Sequence, residues 1–178
     1  MQYIFLPIFT LFCIINTFAQ TTRPLYATLD NTIFETIPND PSERSNGVGN
    51  HIYVGVAKNN GIRRGLIKFD VEDLNIPAGQ AILEAKLVLT SNLKGNAQPY
   101  QYNIHRITKF WTEGGSDADG DTFANGGNGA ASQFEDCSWL RNYVDDPNND
   151  SVPTDLFWDD EGGDFVTTAS ASAVIQRR

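Results

Sequence analysis

The chain has 178 residues, of which 40% are hydrophobic and 20% are charged, and its formal net charge is −9. This length and composition are typical of one globular domain and exclude a disordered chain. The acidic balance argues against binding to nucleic acid and against docking on anionic membranes, because both carry negative charge.

The first segment, residues 1–19, is apolar and carries no charged side chain. It is shorter than the ~20 apolar residues that span a bilayer. It ends in Thr17-Phe18-Ala19, where small residues flank a large one, as signal peptidase prefers. We predict a cleaved signal peptide and a protein secreted to the exterior or the cell surface, with no membrane insertion after cleavage. An uncleaved anchor or a buried core helix is the alternative.

The rest of the chain divides into a short linker, residues 20–24, and one domain, residues 25–178. Within this domain several runs alternate apolar and polar residues with the period of half-buried strands. These runs are residues 52–56, 81–90 and 102–107, and residues 66–69 form a compact apolar run broken only by Lys68. The run 81–90 is the clearest, because Leu83, Ala85, Leu87 and Leu89 share one face.

Turn residues separate the predicted strands. Asn59-Asn60-Gly61 reads as a hairpin connection, because Asn and Gly tolerate positive φ. Pro77-Ala78-Gly79 reads as the turn that opens the next strand, and residues 114–131 form a long Gly- and Asp-rich loop. Helical periodicity is absent from the sequence after residue 20, so the pattern predicts an all-β fold, a sandwich or a barrel.

Several fragments occur in an order that resembles the DNRLRE domain family. They are Arg63-Arg64-Gly65-Leu66-Ile67-Lys68-Phe69-Asp70, Ile76-Pro77-Ala78-Gly79, Arg106-Ile107-Thr108, Trp111-Thr112-Glu113-Gly114 and Gly162-Gly163-Asp164-Phe165. The resemblance implies an antiparallel β-sandwich of jelly-roll type, found on secreted proteins beside polysaccharide-active enzymes. The resemblance also implies carbohydrate binding, because some relatives bind carbohydrates, and alginate is one of their ligands. Family members continue past the last fragment with further strands, so we expect a sandwich that is incomplete at its C-terminal end.

Carbohydrate binding needs flat aromatic faces and planar polar side chains. Trp139, Arg141 and Tyr143 alternate, so on a strand they share one face that suits a sugar ring and a carboxylate. They are one candidate binding surface. The alternative is that the aromatic residues belong to the core, as we expect for Trp111.

A second candidate surface is basic. Arg63, Arg64, Lys68 and Arg106 come from neighbouring predicted strands and would line a groove for an anionic polymer such as a uronate chain. The alternative for each is a solvated or structurally paired surface charge.

Metal binding has weaker signals. Asp117, Asp119 and Asp121 alternate in the Gly-rich loop, but the spacing departs from an EF-hand loop. A second acidic cluster comprises residues 159–164. We predict no required cofactor, and we keep a structural Ca²⁺ ion as an open alternative. Cys137 is alone after signal cleavage and is expected to be a packed thiol.

Catalysis has no comparable signal, because no pair of carboxylates is singled out and neither histidine has a metal-site partner. The sequence therefore predicts a non-catalytic, secreted carbohydrate-binding domain whose partner is a polysaccharide, with no nucleic acid. The second hypothesis is a structural or adhesive domain of a surface protein without a specific ligand.

Overall fold

The computed structural model describes residues 20–36, 42–91, 99–118, 126–145 and 155–175. Over these residues the protein is all-β, with 31% strand, antiparallel sheets and almost no helix. The helical residues in the described ranges form two single-turn 3₁₀ helices, Glu72–Leu74 and Gly126–Asn128. The predicted fold class is therefore confirmed at the level of an all-β protein.

The largest sheet has five antiparallel strands. Their bounds are β1 Ala27–Phe34, β2 Arg44–Ser45, β3 Gly55–Val56, β4 Ile62–Phe69 and β6 Ala130–Ala131. Their order in space is β3-β4-β1-β2-β6. The longest ladder joins β1 to β4, with Asn31 opposite Leu66 and Phe34 opposite Arg63. This pair of strands is the structural centre of the protein.

Two smaller antiparallel pairs complete the strands in the described ranges. They are β5 Tyr100–Ile104 with β9 Ala171–Ile175, and β7 Arg141–Tyr143 with β8 Leu156–Phe157. Beyond β5, an isolated bridge joins Ile107 to Phe165. This bridge brings the Gly-Gly-Asp-Phe segment beside the continuation of β5.

The apolar core lies against β1 and β4 and contains all three tryptophans. Its buried members are Ile33, Leu66, Trp111, Cys137, Trp139 and Trp158, with Leu29, Ile62, Ile107 and Leu140 packed against them. Burying one large apolar side chain contributes about 1.5 to 3 kcal/mol, so this cluster dominates the stability of the sheet. The expected core positions of Trp111 and Cys137 are confirmed.

A buried polar cluster adjoins the apolar core. Asn31 on β1 accepts hydrogen bonds from Ser45 Oγ at 2.8 Å and from the Asn46 backbone at 3.1 Å, and its Nδ2 donates to the Glu113 carbonyl at 2.6 Å. Buried polar groups cost little when they are paired in this way. The strand β1 is not among the strands predicted from the sequence, and in it the polar residue Asn31 interrupts the alternation of apolar residues.

The predicted hairpin at Asn59-Asn60-Gly61 is confirmed between β3 and β4. The Ala57 backbone N–H donates to the Gly61 carbonyl at 2.8 Å, and the Asn60 N–H donates to the Ala57 carbonyl at 2.9 Å. Asn60 has a φ of 65°, a conformation that Asn tolerates better than most residues. The turn at Pro77-Ala78-Gly79 also forms, since the Gln80 N–H donates to the Pro77 carbonyl, but the strand that it was predicted to open does not follow it.

The clearest predicted strand is wrong. Ala81–Thr90 lies outside every strand, and all ten residues are exposed. Leu83 is 78% exposed and Val88 is 79% exposed, so the side chains on both faces reach solvent. An alternating pattern creates a face that can be buried, but within the described residues no neighbouring strand pairs with this segment.

Other predictions fall at the N-terminal end of the chain. The predicted signal peptide, residues 1–19, lies outside the described residues, and residues 20–24 are exposed without regular structure. Among the described residues, no helix is long and apolar enough to cross a membrane.

Candidate functional site

An open pocket of about 250 Å³ lies between β4 and the end of β5. Its walls combine apolar side chains with three polar ones. The lining residues are Val54, Arg64, Gly65, Leu66, Asn103, His105, Ile107, Gly162 and Phe165. A concave, largely apolar site with a few converging polar groups is the usual form of a small-ligand site.

Arg64 supplies the positive charge of the pocket. Its guanidinium carbon lies 4.8 Å from the ring centroid of Trp139 and 5.0 Å from that of Phe165. Nη1 also donates a 2.6 Å hydrogen bond to the Gly162 carbonyl. Cations favour positions over aromatic rings, so these contacts hold the guanidinium in one place.

The position of Arg64 depends on Gly162, the first of two consecutive glycines with positive φ. Gly162 has a φ of 84° and Gly163 a φ of 103°. A Cβ atom at Gly162 would lie 2.6 Å from Arg64 Nη1 and 2.7 Å from Trp139 Cζ2, so no larger residue fits there. Glycine is therefore required at position 162 by both backbone conformation and space.

Asp164 closes the same turn. Its carboxylate accepts hydrogen bonds from the backbone N–H groups of Asp159 and Asp160, and Lys109 Nζ lies 3.5 Å from it. Although burial acts in the opposite direction, these hydrogen bonds and the lysine hold the pKa of Asp164 below its ordinary value. The Gly-Gly-Asp-Phe segment thus forms a self-supported turn that presents Phe165 to the pocket.

Burial lowers the pKa of Arg64, and the nearby Glu35 carboxylate partly offsets this effect. An arginine still remains protonated at neutral pH, because its ordinary pKa is far above 7. Among its contacts with the described residues, the guanidinium makes one hydrogen bond, to Gly162. Its other N–H groups can therefore serve an anionic ligand, preferably a planar carboxylate.

Two further polar side chains line the pocket on the β5 side. His105 Nδ1 lies 2.9 Å from the Val166 carbonyl, so Nδ1 must be the donor, which leaves Nε2 for a ligand. Asn103 Oδ1 accepts hydrogen bonds from Gln101 Nε2 and Ser172 Oγ, which leaves the amide Nδ2 as a donor. Together with Arg64 they provide donors and an acceptor suited to hydroxyl and carboxylate groups.

The predicted aromatic face does not form as one surface. Trp139 is 4% exposed and lies in the core, where its ring contacts Arg64. Tyr143 is half-buried, and its ring packs edge-on against Phe134 with the centroids 6.2 Å apart. The core alternative therefore describes Trp139, whose ring stabilises the site from behind instead of facing a ligand.

Arg141 is held by two carboxylates. Its Nη1 lies 2.5 Å from Glu43 Oε1 and its Nε lies 3.2 Å from Asp155 Oδ2. Ser138 Oγ donates a hydrogen bond to the same Glu43 carboxylate. The network connects β7 to Glu43, which directly precedes β2, and to Asp155, which directly precedes β8. These contacts give Arg141 a structural role.

The predicted basic residues separate. Arg63 and Arg64 are consecutive on β4 and therefore point to opposite faces, and the Arg63 guanidinium lies 5.6 Å from the Phe34 ring centroid. Arg106 and Lys68 are exposed. The lining of the pocket does not include Arg63, Arg106 or Lys68. Of the predicted groove, only Arg64 enters the pocket.

The structure of the described residues does not support either of the two candidate metal sites. Asp119 and Asp121 lie outside the described residues, and Asp164 of the second cluster is used by the turn and by Lys109. Over the described ranges, no group of three or more His, Cys, Asp or Glu side chains is placed to hold a metal ion.

Sequence reasoning missed Asn103, His105 and Phe165 as pocket residues. Asn103 and His105 follow each other at an interval of two, which on a strand places them on one face. The two consecutive glycines before Phe165 mark a turn that needs positive φ. Neither sequence feature predicts which other strand these residues will contact. The pocket forms where they come together with β4.

Comparison with protein-family models, with curated proteins and with solved structures found no match to this chain. The resemblance to the DNRLRE family is thus carried only by the sequence fragments themselves, and it stays a prediction.

Proposed function

We propose that the protein is a non-catalytic, secreted carbohydrate-binding domain whose pocket takes an acidic sugar unit of a polysaccharide. The observation that supports this proposal best is the Arg64 guanidinium held at the wall of an open, mainly apolar pocket. Apolar side chains suit the C–H surface of a sugar, and arginine pairs with a carboxylate through two parallel hydrogen bonds.

The choice of binding over hydrolysis also follows from the lining. Hydrolysis of a glycosidic bond by the usual route needs two carboxylic acids flanking the bond. Among the described residues, those that line this pocket include a cation, an amide and an imidazole, and none of them is an acid. Their chemistry favours recognition of a carboxylate, as in a uronate polymer such as alginate.

The arrangement of the sheets as a β-sandwich is part of the same proposal. We take the main sheet and the β5–β9 pair as the two layers of a β-sandwich of jelly-roll type. In support, β4 and β5 both contribute residues to the lining of the pocket, and Ile107 packs against the core. Sheets packed face to face bury side chains between them in this way.

Affinity electrophoresis tests the binding proposal. We expect retardation of the protein in gels containing alginate, weaker retardation at higher salt, and none with a neutral glucan. Arg64→Gln should weaken retardation by ~10-fold or more, since a hydrogen bond to a charged group contributes about 1.5 to 3 kcal/mol. Arg106→Gln removes the same charge from an exposed site outside the pocket and should leave retardation nearly unchanged.

Because Arg64 also contacts Trp139 and Phe165, its variants need a check of folding by tryptophan fluorescence. Asn103→Ala supplies a second test at an exposed lining residue, and it should weaken retardation without changing the thermal midpoint. Equal retardation of the wild type, Arg64→Gln and Asn103→Ala would overturn the pocket as the binding site.

The second candidate function is a structural or adhesive domain without a specific ligand. It is favoured by the exposed apolar segment Ala81–Thr90, since contiguous apolar surface marks interaction sites. Absence of retardation by every glycan in a panel of acidic and neutral polymers would favour this second function.

A further inference from the structure

The segment Ala81–Thr90 combines an apolar sequence with solvent exposure of every residue. It reads Ala-Ile-Leu-Glu-Ala-Lys-Leu-Val-Leu-Thr, and within the described residues no strand pairs with it. Its large side chains include Ile82 at 55% and Leu89 at 62% exposure. Unpaired apolar strand-like segments are templates for pairing with another chain.

We propose that this segment pairs with the same segment of a second copy of the protein, antiparallel and with the two Ala85 residues opposite each other. In this register Leu83 faces Leu87 of the other copy, and Ala81 faces Leu89. All five odd-numbered residues, which are Ala or Leu, then lie on one side of the pair. A two-fold axis through Ala85 makes the interface self-complementary.

The charges select this register. With Ala85 on the axis, Glu84 of each copy faces Lys86 of the other, which gives two opposite-charge pairs. Shifting the axis to residue 84 places Glu84 opposite Glu84, and shifting it to residue 86 places Lys86 opposite Lys86. A parallel pair in register repeats both like-charge contacts.

One-residue slips fail for a different reason. Centring the pair between residues 85 and 86 places Leu83 opposite Val88, so the apolar face of one strand joins the mixed face of the other. The formal charge of −9 on each copy opposes association in general. The segment itself carries one acid and one base, so it is a place where two copies can approach without net repulsion.

A single two-stranded contact is small, so we expect reversible association that increases with concentration. Sedimentation velocity of the full chain between about 5 and about 500 µM should show a monomer–dimer equilibrium. Glu84→Lys and Lys86→Glu should each weaken dimerisation by ~10-fold or more, because each creates like-charge pairs. Glu72→Lys and Lys58→Glu make the same charge changes at exposed residues outside the segment and should have little effect.

The decisive samples restore the pairing. The double variant Glu84→Lys/Lys86→Glu should dimerise like the wild type, and an equimolar mixture of the two single variants should form a heterodimer. Tryptophan fluorescence should be unchanged throughout, since the altered residues are exposed. A monomeric wild type at every concentration, or single variants that dimerise normally, would overturn the proposal. If neither the double variant nor the mixture of single variants dimerised, the proposal would also be overturned. That result would indicate that Ala81–Thr90 pairs with a strand of another polypeptide.

Disulfide cross-linking tests the register directly. Opposite residues of antiparallel strands have Cα atoms about 4.5 to 5.5 Å apart, within the range of a disulfide. Ala85→Cys should therefore yield a covalent dimer on mild oxidation, above the wild-type background. Ala81→Cys is the matched control, because the Ala81 positions of the two copies would lie about 27 Å apart. Equal cross-linking of both variants, or none of Ala85→Cys, would contradict the register.

Discussion

Two regions of the protein carry strand-like apolar patterns and meet opposite fates. In β4, Ile62 and Leu66 pack into a core with three tryptophans, and the strand is paired on both sides. In Ala81–Thr90 the alternation is more regular, yet every residue is exposed. The difference teaches that alternation defines a face that can be buried, while burial depends on a partner that the pattern does not specify.

The largest expected effect contrasts Ile33 with Ile82. Ile33 is fully buried on β1, whereas Ile82 is 55% exposed. Ile33→Ala should lower the free energy of unfolding by about 4 kcal/mol, since it leaves a cavity in the core. Ile82→Ala should change it by less than about 0.5 kcal/mol when measured at concentrations where the protein is monomeric.

Urea denaturation followed by tryptophan fluorescence measures both variants. A similar loss of stability in the two would show that Ala81–Thr90 is packed in solution, and the contrast between the regions would disappear.

A somewhat smaller effect is expected in the polar part of the packed region. Asn31→Ala removes the partner of the Asn46 N–H and of the Glu113 carbonyl, whereas Ser45 Oγ keeps a hydrogen bond to the Cys137 carbonyl. Leaving buried groups unpaired costs about 1 to 3 kcal/mol each, so we expect a loss of about 3 kcal/mol. Asn50→Ala makes the same substitution at an exposed position and should change stability by less than about 0.5 kcal/mol. Thermal or chemical denaturation that gives equal values for the two variants would contradict a structural role for the buried amide.

The all-β class and the β3–β4 hairpin were predictable, because Asn59-Asn60-Gly61 and the flanking alternation are local signals. The strand β1 was not predictable in the same way. Its buried Asn31 and Thr32 form hydrogen bonds with Glu113 and Tyr53, which lie far away in the chain, and no local sequence pattern predicts these partners.

The candidate site shows the same limit. Sequence reasoning drew attention to Arg64 through the basic run on β4, but grouped it with Arg63, which points to the other face. The aromatic residue that faces the pocket is Phe165, whereas Trp139 lies beneath Arg64. Which side of an aromatic residue meets solvent depends on the tertiary packing, and residue type alone does not determine it.

The smallest expected effect concerns pH and Asp136. This carboxyl is fully buried and accepts hydrogen bonds from the Ser116 and Gln133 backbones. Burial raises its pKa above the ordinary value of 3.8, and the hydrogen bonds only partly offset that effect. The folded state then holds the proton more tightly than the unfolded state, so this contribution to stability is full at low pH.

The contribution is lost as pH rises through the raised pKa. Asp136→Asn lacks this titration. The free energy of unfolding of the wild type minus that of Asp136→Asn should therefore fall as pH increases from about 4 toward 7. Chemical denaturation of both proteins across this range checks the sign, and a difference that rises with pH would contradict it.

The most direct test of the contrast is native-state hydrogen exchange of individual amides in a dilute, monomeric sample. We predict strong protection for the β1 amides of Asn31, Thr32 and Ile33, with opening free energies near the global stability. We predict exchange close to the unprotected rate for Ile82–Leu89, with protection there that appears only as concentration rises. Strong, concentration-independent protection of Ile82–Leu89 would contradict the contrast between the two regions.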